Sequence, residues 1–428
     1  MVNGYKKTEI GAVPSEWDVL PFEEIFRTLS NNTLPRDQLN YDSGSIKDIH
    51  YGDILILFPE ILDCSRDDIP YVNNDASISG KPLRDGDIII SDTAEDETVG
   101  KAVEVSNQAN TNIVAGLHTI PCRVKYGKFA SGWLGYFINS HYYHDQLIPY
   151  IHGTKVSSIT RESLADTYIV VPPYEEQEKI VAALADISRL ISESEKLIAK
   201  YQSIKQSCLQ HMFPRKGQIE PDMRLPGFTG AWEQRKLGEL GTLKNGMNFS
   251  KEAMGKGYPF VNLQNIFGNN VIDISKLGLA MASSTQLKEY SLQKGDVLFV
   301  RSSVKLEGVG EAALVSENLE NTTYSGFIIR FHDQAGMDDN FKRFIFRTSS
   351  VRQQIMSQAT DSANKNISQQ VLSNIKIMIP EKAEQEIVGQ YFSNLFTLIT
   401  LHQRKCEKYK MIKQGMMEDL LTGKVRLK

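Results

Sequence analysis

The feature that most constrains this 428-residue chain is a long-range internal repeat. Glu176-Gln177-Glu178 recurs as Glu384-Gln385-Glu386, an offset of 208 residues. The same offset carries Ile159 and Leu164 to Ile367 and Leu372, Pro172 to Pro380, and Leu190-Ile191 to Leu398-Ile399. It also carries Lys200-Tyr201 to Lys408-Tyr409 and Ile204-Lys205-Gln206 to Ile412-Lys413-Gln414, with no gap between about 152 and 213. A repeat at this spacing means that one folding unit is used twice. Upstream the match is looser: Gly86-Asp87 answers Gly295-Asp296, and Trp17 answers Trp232. Trp to Glu-Gln spans 160 residues in the first copy and 153 in the second. Each copy therefore reads as a globular part of about 150 residues, a common domain size, followed by a long helix. The globular parts differ while the helices agree, which suggests two readers of different targets on one frame.

The helices carry the clearest periodicity. Glu175 to Phe213 contains neither Pro nor Gly. Apolar residues recur at Ile180, Leu184, Ile187, Ile191, Ile198, Tyr201, Cys208 and Met212, with Ser194 and Lys205 interrupting. The second copy gives Val388, Phe392, Leu395, Ile399, Cys406, Tyr409, Met416 and Leu420. Steps that alternate four and three mark a coiled-coil seam. A helix of this length runs about 60 Å at 1.5 Å per residue and cannot bury such a stripe alone. Two related helices in one chain can bury it on each other; the competing reading is two separate core helices. The segment between Phe213 and Trp232 holds three Pro (214, 221, 226) and three Gly (217, 227, 230), so it is a loop. That loop favours antiparallel packing, with one globular domain at each end and a pseudo-twofold axis between them.

The globular halves are expected to be mixed α/β. Gly86–Ser91, Thr167–Val171, Asp296–Val300 and Ser325–Phe331 are short, rich in Ile, Val or Phe, and bounded by turn residues. Helical stretches are expected at Phe129–His141 and Asn340–Ala359.

Composition narrows the function. Hydrophobic residues make up 41% and charged residues 23%, so a sizeable core forms. No apolar run reaches the roughly 18–20 residues of a membrane span, and the polar opening has no signal-peptide pattern. Four separated cysteines (Cys64, Cys122, Cys208, Cys406) indicate neither a zinc knuckle nor a disulfide framework, and a reducing cytoplasm is expected. Residues 1–216 carry 21 Lys+Arg and 30 Asp+Glu, whereas residues 217–428 carry 27 and 22; the net charges, −9 and +5, give −4 overall. A chain holding DNA alone usually shows a stronger basic excess, so nucleic-acid binding here calls for partners.

Catalytic motifs are missing. Val171-Pro172-Pro173-Tyr174 superficially resembles the Asn-Pro-Pro-Tyr motif of amino-methyltransferases, but valine cannot accept a hydrogen bond from a target amino group. It reads as a strand end and a helix start. No Gly-rich cofactor loop or Walker loop is present, so no cofactor and no ATP are expected. Asp85, Asp87, Asp92, Glu95, Asp96 and Glu97 cluster near Gly86, but the second copy replaces most of them, and a solvated acidic loop is expected rather than a metal nuclease. His118, His141, His144 and His152 lack ligand spacing.

The opening Glu9-Ile10-Gly11-Ala12-Val13-Pro14-Ser15-Glu16-Trp17, the phrase Val171-Pro172-Pro173-Tyr174-Glu175-Glu176-Gln177 with its second copy, and the ending Leu420-Leu421-Thr422-Gly423-Lys424-Val425-Arg426-Leu427 together resemble the specificity subunit (HsdS) of type I restriction–modification systems. The resemblance covers nearly the whole chain. It implies target-recognition domains at 1–171 and 232–379, helical spacers at 172–213 and 380–428, and a linker at 214–231. It further implies that each domain reads one half of a split double-stranded DNA target while the helices set the spacer. The partners it implies are two modification methyltransferase subunits (HsdM) and the restriction/translocase subunits (HsdR). The chain itself is then non-catalytic. The alternative from another class is a coiled-coil scaffold that organises protein partners and reads no DNA.

Base reading needs Arg or Lys for guanine and Asn or Gln for adenine, whereas phosphate contacts only position the protein. Candidate DNA contacts are Thr154, Lys155 and Ser157 in the first domain. In the second they are Lys244, Asn245, Arg301, Ser302, Ser303, Lys305, Asn364, Lys365 and Asn366. Lys155 and Arg301 lead the set.

Overall fold

The Pro-Pro stop at 172–173 is followed by one uninterrupted helix, Tyr174–His211, with Glu175 and Glu176 in its first turn. Its repeat is the helix Lys382–Leu420, with Glu384 in the first turn. Acidic side chains there complement the helix dipole. The computed structural model describes residues 4–66, 68–73, 77–108, 112–153, 155–360 and 364–428. The chain divides into two units, Met1–Ser194 with Lys405–Lys428, and Glu195–Arg404. The division falls inside both long helices, so each unit holds one β-rich domain and a part of each helix.

In the first unit, a five-stranded sheet has the order Phe26–Thr28, Thr119–Val124, Ile88–Ser91, Ala102–Ser106, Ile61–Asp63. A second sheet has the order Asn112–Ala115, Ile46–Ile49, Tyr71–Val72, Leu39–Asn40. Ile88–Ser91 is buried along its whole length, which is why it reads as a continuous apolar run rather than an alternating one. Tyr168–Val171 pairs antiparallel with Asp18–Pro21 and delivers the chain into the long helix.

The second unit repeats this plan. Its larger sheet has the order Gly241–Asn245, Ile328–Asp333, Val297–Val300, Ala312–Leu314, and Val297–Val300 is again buried throughout. Its smaller sheet has the order Gly278–Ala280, Met254–Val261, Thr323–Tyr324. Lys376–Ile379 pairs antiparallel with Glu233–Lys236 before the second long helix.

The two expected helical stretches are each divided. Phe129–His141 becomes a loop and the helix Trp133–Ile138, and His141 already begins a new helix, His141–Leu147. The break is chemical: the Ser140 hydroxyl accepts from the Tyr143 amide and starts a fresh N-terminus. Asn340–Ala359 becomes Asp339–Ile345 and Ser349–Gln358, separated at Thr348, whose hydroxyl donates to the Ile345 carbonyl at 2.7 Å.

Each unit packs its helical segments into its own core. In the first, Ile180 and Leu184 share one core with Leu420, Leu421, Trp17 and Trp133. In the second, Cys208, Met212 and Phe213 share one core with Val388, Phe392 and Trp232. In both, the beginning of one long helix lies with the end of the other, so the segments run antiparallel. Further out, Tyr201 stacks on His402 with ring centroids 5.5 Å apart.

The seam positions differ in burial. Ile180, Leu184, Ile187, Cys208, Met212, Val388, Phe392, Leu395, Ile399, Cys406 and Leu420 are buried, whereas Ile191, Ile198, Tyr201, Tyr409 and Met416 are half-buried. Ser194 is also buried, because its hydroxyl donates to the Leu190 carbonyl at 2.7 Å and needs no outside partner. Among the described residues, no helix is long and apolar enough to cross a membrane.

Candidate nucleic-acid interface

The repeated Glu-Gln pair fixes how each domain sits on its helix. The Gln177 amide donates to the Pro172 carbonyl at 2.8 Å and accepts from the Ala130 amide at 2.9 Å. Gln385 does the same with the Pro380 carbonyl, 2.9 Å, and the Asp338 amide, 3.1 Å. Glu176 takes two bonds of 2.7 Å from the Arg426 guanidinium and one of 2.9 Å from the Trp17 indole. Burial pushes the Glu176 carboxyl up, but the bonds from Arg426 and Trp17 outweigh it and hold the group below the usual carboxylate range. Glu384 takes two bonds from Arg224, 2.8 and 2.7 Å. The Glu-Gln repeat is thus a clamp of the frame.

The Gly-Asp repeat is structural as well. Asp87 accepts from the Arg84 amide at 2.8 Å, and Asp296 from the Gln293 amide at 2.9 Å. Asp87 is 2% exposed and forms a fork with Arg123 at 2.7 and 2.6 Å. Asp296 sits 2.7 Å from His332 Nδ1. The expectation of a solvated acidic loop is therefore corrected at Asp87, a buried carboxylate that half-buried Arg123 holds inside. Among the described residues, no three His, Cys, Asp or Glu side chains gather as a metal site. All four cysteines are buried, and burial pushes the Cys64 and Cys122 thiols up to about 12.

The DNA-contact candidates fall into separate groups. Ser302-Ser303 pairs antiparallel with Lys365-Asn366, so two loops about sixty residues apart become one short ladder. A cleft of about 560 Å³ opens beside it, lined by Ser302, Ser303, Lys305, Asn364 and exposed Phe327 among others. Arg301 enters this ladder, half-buried, and its Nη1 donates to the Gly326 carbonyl at 3.2 Å. Lys244 and Asn245 lie elsewhere, on the edge strand Gly241–Asn245. Lys244 is engaged there by Glu289 Oε1 at 2.6 Å and sits 4.0 Å over the Tyr290 ring.

In the first unit the matching ladder is Thr93-Ala94 with Ser157-Ser158. Ser157 is on it and Lys155 is exposed just before it; Thr154 and 361–363 lie outside the described residues.

The two ladders sit on the same backbone scaffold. The Asp92 amide donates to the His118 carbonyl at 3.1 Å, and the Arg301 amide to the Phe327 carbonyl at 2.8 Å. The Ile159 amide donates to the Asp92 carbonyl at 2.9 Å, and the Ile367 amide to the Arg301 carbonyl at 3.0 Å. The Gly116 amide donates to the Ile49 carbonyl at 3.0 Å, and the Ser325 amide to the Val261 carbonyl at 2.9 Å. Asp92 thus corresponds to Arg301, His118 to Phe327 and Tyr51 to Leu263. Sequence reading passed over Asp92 and His118 as members of a loop and a histidine set, and omitted Phe327. The offset of 209 between Gly86-Asp87 and Gly295-Asp296 also relates these pairs, and was the available signal.

Comparison with known proteins follows this duplication. The family model for the type I restriction modification DNA specificity domain matches twice, at residues 14–206 and 230–410. The MjaX protein of Methanocaldococcus jannaschii, provisionally named as a type I restriction enzyme specificity subunit, is 26% identical over 99% of this chain and 97% of its own length. The EcoKI specificity subunit of Escherichia coli K12, also of a type I restriction enzyme, is 23% identical over 88% of this chain and 82% of its own. The solved S subunit of a type I restriction-modification system from M. genitalium shares the fold with a TM-score of 0.56 at 12% identity, over 94% of this chain and 96% of that one. With both of its halves matched, this chain belongs to the family of type I restriction modification DNA specificity domains.

Proposed function

We propose that this chain is the DNA-specificity subunit of a type I restriction–modification complex. Each β-rich domain reads one half of a bipartite duplex target, and the paired helices set the number of base pairs between the halves. The observation that carries this reading is the double family match laid over two domains that share a backbone frame but differ in the side chains at the ladder entrances. Two copies of one reader with different surfaces are what a split, asymmetric target requires. The scaffold reading has no use for that divergence, and family membership goes against it.

On this reading the domains span 1–171 and 232–379, the spacers 172–213 and 380–428, and the linker 214–231. Methyl transfer and cleavage belong to partner modification and restriction subunits, which bring their own cofactors. Those partners, closing on the duplex, also supply positive charge that a chain of net −4 lacks. Of the candidate contacts, Lys155, Ser157, Arg301, Ser302, Ser303, Lys305 and 364–366 are proposed to face DNA on their ladders. Lys244 and Asn245 are proposed to contact phosphate from the edge strand, with Lys244 leaving Glu289 to do so.

The test is methylation mapping by long-read sequencing in cells carrying this chain with its partner methyltransferase, against cells lacking only this chain. The expected result is a split methylated motif that vanishes on deletion. An unchanged methylome, with the methyltransferase present and active, rejects the proposal. Replacing residues 12–165 by another such domain is expected to change one half-site only. Adding one helical turn to both long helices is expected to lengthen the spacer and leave both half-sites alone.

A further inference from the structure

We infer that the positions held by Asp92 and His118 in the first domain, and by Arg301 and Phe327 in the second, discriminate bases in the two half-sites. This rests on the proposed DNA-reading function and names the residues that carry it.

The argument starts from what the repeat keeps and what it changes. Where a residue holds the frame, the backbone contact and the side chain both repeat, as at Asp87 and Asp296. At the ladder entrance only the backbone contact repeats. There the Asp92–His118 and Arg301–Phe327 amide bonds match to within a few tenths of an ångström. The side chains on them have opposite character: an acid and an imidazole in one unit, a guanidinium and a phenyl ring in the other.

Exposure agrees. The side chains of Asp92 and His118 are 27% and 46% exposed, and Phe327 is 57% exposed. Phe327 shares its cleft with exposed Val304 and Phe267, and an exposed apolar patch rimmed by polar residues marks a contact surface. His118 adds a second sign. Its φ of +55° is left-handed, a conformation a non-glycine side chain adopts at an energetic cost. Such strain persists where the surroundings hold it, and it concentrates at functional sites. Here the surroundings are the Tyr51 ring, edge-on at 5.2 Å, and Asp92 Oδ1, 3.4 Å from Nδ1. The Thr93 hydroxyl in turn donates to Asp92 Oδ1 at 2.7 Å and fixes the carboxylate.

The chemistry then differs by half-site. A carboxylate accepts from an exocyclic amino group, cytosine N4 or adenine N6, and the adjacent imidazole serves a neighbouring base edge or phosphate. A guanidinium matches guanine O6 and N7, and a phenyl ring packs on a thymine methyl. Among the described residues, the Arg301 guanidinium uses one nitrogen on the Gly326 carbonyl and makes no other hydrogen bond. The remaining donors suit a two-pronged contact.

The experiment maps methylation in cells carrying the full chain with its partner methyltransferase, for Asp92→Asn, Arg301→Gln and Phe327→Leu, beside the deletion. Arg301→Gln is expected to relax one guanine position of one half-site and to lower methylation at the original motif on the order of tenfold. Phe327→Leu is expected to weaken preference at an adjacent position of that half-site. Asp92→Asn is expected to alter the other half-site alone. If all three variants keep both half-sites and full methylation while deletion abolishes the motif, the assignment is overturned and DNA reading stands. If deletion itself changes nothing, the DNA-reading function is what fails. If a variant abolishes methylation, the assembled complex is titrated with duplexes changed one base pair at a time. A flattened preference at one pair then supports the assignment, and an unaltered profile or absent binding overturns it.

Discussion

The helix N-termini of the two units carry the same Glu-Gln pair in different company. Glu176 is met by Arg426 and by the Trp17 indole, whereas Glu384 is met, among the described residues, by Arg224 alone. The Trp232 indole nitrogen is buried with no partner among the described residues. In each unit the arginine comes from the segment that follows the end of the neighbouring long helix: 214–231 supplies Arg224, and the C-terminal 421–428 supplies Arg426. The comparison teaches that the carboxylate belongs to the helix repeat, while its neutralising cation is delivered by whichever chain segment returns there. Gly423 shows how tightly the return in the first unit fits. It has φ +73°, and a Cβ on it would stand 2.4 Å from Pro14 Cγ.

The sharpest way to break this comparison is to remove each cation. Arg224→Ala leaves the buried Glu384 carboxylate unpaired and is expected to destabilise the protein by about 3–5 kcal/mol. Arg426→Ala is expected to have a smaller effect, about 2–3 kcal/mol, because Trp17 still donates to Glu176. Urea unfolding followed by tryptophan fluorescence measures both; equal losses would mean that the indole bond contributes nothing. The Arg426 contact is also acid-sensitive. Glu176 has a lowered carboxyl, so its contribution is present above 4.5 and is lost as pH falls through the lowered value.

The seam supplies the next contrast. Ile399 is 4% exposed and Ile191 is half-buried, so Ile399→Ser is expected to lose about 3 kcal/mol and Ile191→Ser about 1. Matching losses in thermal unfolding would mean that burial along the seam is even.

A third contrast is one of pH. Asp48 is buried at the position where the second unit has Phe260, and burial, eased by a bond from Asn32, pushes its carboxyl up to about 6. The folded state therefore holds this proton more tightly than the unfolded chain does. Stability from this group is greatest below 3.8 and falls as pH rises to about 6, by about 3 kcal/mol. Asp48→Asn is expected to flatten that decline, and unfolding free energies at pH 4 and pH 7 measure it. An unchanged slope would place the origin elsewhere.

The smallest effect separates the two tryptophans. Trp17→Phe removes a bond to a charged group and is expected to lose about 1–2 kcal/mol. Trp232→Phe removes a buried donor that has no partner among the described residues, which offsets its lost area and leaves a loss under about 1 kcal/mol.

Much of the frame was legible in the residues. The Pro- and Gly-free run, the four-and-three spacing and the helix-start acids all act through local geometry, which repeats every turn. The buried strands Ile88–Ser91 and Val297–Val300 announced themselves as unbroken apolar runs. The helical stretches at 129–141 and 340–359 were overextended. Their breaks depend on single hydroxyls, Ser140 and Thr348, that serve helix interiors and caps alike until the fold chooses. Asp87 looked solvated because its partner Arg123 is thirty-six residues away.

The sequence alone determined that two domains share one frame, where the two long helices lie, and that each helical stripe needs burial, because periodicity and duplication are properties of order along the chain. Only the tertiary structure decided which residues stand together. It paired Ser302-Ser303 with Lys365-Asn366, set Asp92 against His118 and Arg301 against Phe327, and assigned Lys244 to Glu289. Those pairings join segments tens of residues apart through backbone hydrogen bonds and ion contacts, which leave no periodic trace in the sequence; they form where sheet register brings two turns to the same edge.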